Sequence, residues 1–215
     1  MSATENLLLS LAESYTDLLS DSQHNRKLAH HMALVASENW LVSEFAFLIN
    51  DQEKSSPIPE WTALREQKLV DITLLPSPES TFKDRIHLEF KIITPGFWRD
   101  NWKSVYYDLA ALTNNKNKKP KADAAVCFLI NPLKKSVSKQ REDTKLKYAK
   151  FISSVPESPQ DFRPLPDEHD LSPLRIFAVS PELVLDWPYV IHNQWPEGYS
   201  ASFKILWITN EQRTQ

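Results

Sequence analysis

Glycine is almost missing from this 215-residue chain: Gly96 and Gly198 stand against fifteen prolines. Phosphate-cradling loops and dinucleotide fingerprints need closely spaced glycines, so P-loop nucleotide hydrolysis and Rossmann-type cofactor binding are excluded. Cysteine is scarcer still. With Cys127 alone, neither an intrachain disulfide nor a multi-cysteine zinc site can form, and its place in the apolar run 124–130 reads as a buried, inert thiol. No stretch approaches the roughly 20 apolar residues of a membrane helix. The start Met1-Ser2-Ala3-Thr4-Glu5 lacks the basic residues and apolar core of a secretory signal. A cytoplasmic protein with no membrane association is expected.

What the chain has is charge placed on the polar faces of two apparent strands. In Leu69-Val70-Asp71-Ile72-Thr73-Leu74-Leu75 the two-residue period of a strand sets Val70, Ile72 and Leu74 on one side and Asp71 and Thr73 on the other. In Ile86-His87-Leu88-Glu89-Phe90-Lys91-Ile92-Ile93 the apolar side is Ile86, Leu88, Phe90 and Ile92, and His87, Glu89 and Lys91 share the opposite one. The polar, twice-prolined link between them predicts an antiparallel hairpin with a long loop. If Leu75 pairs near Arg85, Asp71 faces Glu89, with Cβ atoms roughly 4.5–5.5 Å apart. Opposed carboxylates repel unless something lies between them, and a hard divalent cation is the usual answer. The competing explanation is a solvated face of an antiparallel sheet, where Glu-x-Lys is a common surface pattern. For His87 alone a structural or surface role is favoured.

Val70-Asp71 followed by Glu89-Phe90-Lys91 resembles the PD-(D/E)xK nuclease superfamily, whose core is a helix, a strand hairpin, a second helix and a further strand. The likeness covers residues 38–131, with Val70 in place of the frequent proline. It implies an α/β, restriction-endonuclease-like fold: a central mixed sheet with an antiparallel hairpin, flanked by helices. It implies Mg²⁺ or Mn²⁺ held by Asp71, Glu89 and the main-chain carbonyl of Phe90, with Lys91 orienting a water and offsetting charge on the phosphoryl oxygens. The expected products are a 5′-phosphate and a 3′-hydroxyl. A glutamate from the first core helix often approaches the metal in this superfamily. Glu44 falls inside the apolar arc of the helix read over 37–50, where an acid is costly unless paired, and it is assigned that place. Glu38, in the first turn, is explained by the helix dipole alone.

Overall the net charge is −3, yet residues 116–150 hold eleven basic residues against three acids, a net of +8 that leaves −11 for the remainder. Lys116, Lys118, Lys119, Lys121, Lys134 and Lys135 are candidates to track a phosphate backbone, with a solvated lysine-rich surface as the alternative. A Gln-x-x-x-Tyr motif of the RecB-like branch is not matched, since Lys103 stands where glutamine is needed.

The remaining chain predicts a single domain over 1–215: an N-terminal helical extension over 1–36, a catalytic core over 37–131, and a helix, loop and strands over 132–215. Helices are expected over 4–20, from residue 21 or 22 through Val35, and over 102–113 and 138–153. Strands are expected over 61–67, 124–130, 174–179 and 202–208. The functional expectation is a divalent-metal-dependent DNA endonuclease of restriction or defence type, RNA not being excluded. A homodimer would suit cleavage of both duplex strands, and membership of a defence complex is an alternative. The rival is a nuclease-fold protein without turnover that serves as a DNA-binding or assembly subunit.

Overall fold

The computed structural model describes residues 3–33, 37–51, 56–67, 70–94, 98–110, 121–132, 174–189 and 199–211. Three helices come first: α1 (Ala3–Ser20), α2 (Ser22–Ala33) and α3 (Ser37–Asn50). On α1 the helical spacing of Leu7, Leu8, Leu11, Tyr15 and Leu19 yields one buried stripe. Asp21 caps α2, its Oδ1 accepting the amide of Gln23 at 2.9 Å. Then follow strands β1 (Trp61–Gln67), β2 (Val70–Pro76) and β3 (Ile86–Ile93), helix α4 (Trp98–Leu109), and strand β4 (Ala124–Pro132). Strands β5 (Leu174–Val179), β6 (Leu183–Trp187) and β7 (Tyr199–Asn210) complete the set. α3 is followed in order by β1, the β2–β3 hairpin, α4 and β4.

All seven strands form one mixed sheet, in the order β1-β2-β3-β4-β7-β5, with β6 also paired to β7. The first three strands form an antiparallel meander, β4 runs parallel to β3, and β7 is antiparallel to β4, β5 and β6. This is the α/β class read from the sequence. β6 was not foreseen: Leu183-Val184-Leu185-Asp186-Trp187 lies between the strands expected over 174–179 and 202–208. The helices predicted over 138–153 and beyond residue 110 fall outside the described residues. Among those residues no helix is long and apolar enough to cross a membrane.

The sheet separates two apolar clusters. On one side, β4 contributes Ala124, Val126, Phe128 and Ile130 to a core shared with α1, α2 and α3. On the other, Ala125, Cys127 and Leu129 pack with Trp102, Val105, Tyr106 and Leu109 of α4. Cover on both faces explains the unbroken hydrophobicity of β4. α3 is tied to the outer strand by Asn50, whose side-chain amide donates to the Ala63 carbonyl and accepts from the Ala63 amide, both at 2.9 Å. That pair imitates a neighbouring strand and satisfies part of the β1 edge. It fixes one end of α3, so the position of the other end, where Glu38 sits, follows.

Candidate active site

β2 and β3 pair as Leu74 with Ile86, Thr73 with His87 and Ile72 with Leu88. This is the predicted register, and its next step would set Asp71 against Glu89. There the ladder gives way to a side-chain contact: Asp71 Oδ2 accepts the Phe90 amide at 2.7 Å. Within an extended strand the N–H and C=O of one residue project to the same edge. The Phe90 carbonyl therefore faces the β2 side as well, beside the Asp71 carboxylate. Its ring goes the other way, fully buried against Tyr15, Phe45 and Phe128.

Glu89 and Lys91 lie on the α4 face, opposite Ala125 and Cys127 of β4. The Lys91 ammonium is 3.1 Å from Glu89 Oε2 and 3.5 Å from Asp108 Oδ2 on α4. Asp108 Oδ1 in turn holds Lys121 at 3.1 Å. Glu89 is 4% exposed. Burial pushes its carboxyl up to about 7; Lys91 pulls the other way, and Asp71 and Asp108 add to the rise by repulsion. For Lys91, burial opposes the charge but is outweighed by Glu89 and Asp108, with Glu38 adding to them, so its ammonium is held above the ordinary lysine range.

Glu38 joins this group. Glu38 is an exposed residue, yet its carboxyl is raised, chiefly by partial desolvation, with Asp71 adding repulsion; Lys91 and a hydrogen bond from the Ile92 amide act against the rise. Glu44 does not join it. Six residues further on, roughly 120° around the helix axis and about 9 Å along it, its Oε2 meets His24 Nε2 of α2 at 3.3 Å. The inward glutamate is thus satisfied by a histidine, and Glu38, from the first turn, is the α3 carboxylate whose charge acts on Lys91. Asp108 was overlooked in the sequence, although it flanks the apolar stripe of α4 much as Glu44 flanks that of α3.

His87 takes the structural role expected. Its Nδ1 lies 3.0 Å from Thr73 Oγ1, its amide donates to Asp123 Oδ2 at 2.7 Å, and its carbonyl accepts from the Asp123 amide at 2.8 Å. Of the six candidate phosphate-tracking lysines, Lys121 is the one described, and it is committed to Asp108 while 52% exposed. Lys116, Lys118, Lys119, Lys134 and Lys135 lie outside the described residues.

No protein-family model, no curated protein and no solved structure matches the chain. Function has therefore to be read from the geometry. Among the described residues no group of three or more His, Cys, Asp or Glu side chains is placed to hold a metal ion as it stands. The chemistry of the donors still suits a hard cation. Glu38, Glu89 and Asp108 all act on Lys91, Asp71 acts on Glu38 and Glu89, and Lys121 is a second cation. Four carboxylates against two ammonium groups leave an excess of negative charge around a nearly buried glutamate. All the oxygens are hard donors, the kind that Mg²⁺ and Mn²⁺ prefer.

Proposed function

We propose that this protein is a divalent-metal-dependent nuclease of the PD-(D/E)xK type that hydrolyses phosphodiester bonds in DNA. One observation carries the proposal: β2 and β3 part where Asp71 meets the Phe90 amide, and Glu89 and Lys91 crowd beside that opening on the buried α4 face. A solvated sheet face would leave Glu89 and Lys91 in water, with ordinary proton affinities.

Asp71, Glu89 and the Phe90 carbonyl would hold Mg²⁺ or Mn²⁺. When bound, such an ion supplies positive charge against the phosphoryl oxygens and makes water a stronger acid. Lys91, held in its charged form, orients the attacking water and offsets the negative charge that grows on the phosphate. Glu38, whose carboxyl senses the charges of Lys91 and Asp71, would accept a hydrogen bond from that water. Lys121, more than half exposed, offers a contact to the phosphate backbone.

The test is a plasmid-nicking assay with Mg²⁺ or Mn²⁺, run beside Asp71→Ala and Lys91→Ala. Nicking that needs the metal and both side chains supports the reading. Activity surviving both substitutions moves the site elsewhere, and cleavage of RNA but not DNA changes the substrate while keeping the site. Silence on every nucleic acid favours a binding or assembly subunit.

A further inference from the structure

The proposed mechanism asks two things of Glu89 that conflict: it must bind a cation, and it is already paired with the Lys91 ammonium at 3.1 Å. Glu89 and Lys91 are neighbours on one face of one strand, so an approaching cation and the ammonium compete for the same carboxylate. The amine needs a second anionic partner within reach. Asp108 is that partner, 3.5 Å from Lys91 and on a different element.

Resting on the nuclease reading above, we infer that Asp108 is a positioning residue: it receives the Lys91 ammonium when a divalent cation takes Glu89, keeping the lysine beside the reacting phosphate without blocking the metal. Two features support this role. The fold already uses Asp108 through its main chain, where its carbonyl accepts the amides of Lys121 at 2.9 Å and Ala122 at 3.0 Å. The carboxylate is thus not needed to close the end of α4, and its two oxygens serve Lys91 and Lys121 alone among the contacts described. The side chain is also almost wholly shielded, 9% exposed, where an unpaired carboxylate is costly and a shared lysine pair holds it in place. Lys121 sets how much of Asp108 is left over. An anion drawing Lys121 away leaves Asp108 freer to take Lys91.

The deciding experiment is a double-mutant cycle read by calorimetric Mn²⁺ binding to the full chain, without nucleic acid. Asp108→Asn is expected to weaken Mn²⁺ binding about tenfold when Lys91 is present, the scale on which outer partners tune metal affinity. In the Lys91→Met background the same change should cost less than about twofold, since no amine then competes for Glu89. Asp108→Glu, which keeps the charge, should bind within about threefold of wild type. Lys121→Gln should tighten binding only when Lys91 is present. Should Asp108→Asn fail to fold, the Asp108→Glu and Lys121→Gln arms still decide the matter. Equal losses in both backgrounds, or no loss in either, overturn the inference while leaving the metal site standing. If wild-type protein takes up no Mn²⁺, or Asp71→Asn binds it equally well, the site reading itself fails and this inference falls with it.

Discussion

Two faces of β3 meet at adjacent residues and do opposite things. Phe90 faces the aromatic group of Tyr15, Phe45 and Phe128 and is fully buried. Burying such a ring stabilises the fold by about 2–3 kcal/mol relative to leaving it exposed. Glu89 is nearly as buried but carries a carboxylate whose ionisation is penalised. One backbone therefore supports a face that holds the protein together and a face that costs it stability. A strained charge of this kind is retained where chemistry needs it.

The sharpest way to break that contrast is to remove the charges. Asp71→Asn or Lys91→Met should lower the nicking rate by at least about 10³-fold, on the order of 4 kcal/mol of transition-state stabilisation; the thermal midpoint should hold or rise in Asp71→Asn, which removes repulsion from Glu89, and fall in Lys91→Met, which leaves Glu89 and Asp108 short of a partner. A midpoint that falls with activity in Asp71→Asn would put Asp71 in the scaffold instead. On the opposite face, Phe128→Ala should lower the unfolding free energy by about 3–5 kcal/mol in a urea titration, with turnover per folded molecule within about threefold of wild type.

A smaller effect is expected from pH alone, measured in chelator. The folded Glu89 titrates near 7, while an ordinary glutamate titrates at 4.5. Between these values the folded state binds more protons than the unfolded one, so stability is greatest below the lower value and declines as pH rises through the window, by about 3 kcal/mol. Glu89→Gln should flatten that slope. If the slope is unchanged in the variant, the burial penalty belongs to another group. Smallest are the two glutamates of α3. Glu38→Gln should reduce nicking about tenfold, whereas Glu44→Gln should leave it unaltered and cost under about 1 kcal/mol of stability through its pair with His24. Equal effects would erase the distinction between the two glutamates.

The hairpin was legible because two local rules agreed: the alternation of side chains and the length of a proline-bearing loop together set the register. The double cover of β4 was legible for a similar reason, since seven apolar residues in a row leave no solvent face. Choosing between Glu38 and Glu44 was a different problem. An acid within an apolar arc signals a partner but not which one, and the partner proved to be His24, on another helix. Glu38 looked explained by its helix end, so nothing in the chain pointed to Lys91, more than fifty residues away. Lys121 was foreseen as part of a basic flank, but its tie to Asp108 depends on how α4 packs across the sheet. β6 was hidden by the prolines beside it, although its exposure alternates as a strand's should.

β7 lies between β4 and β5 in space, yet follows both along the chain, and one of its edges also accommodates β6. During synthesis the inner edge of β4 must stay open until residues 199–210 emerge. The meander that carries Asp71 and Glu89 is thus made early but waits for a late strand to seal its neighbour. Nascent chains stalled before that point would present an unprotected β4 edge, the kind of surface that pairs with other chains.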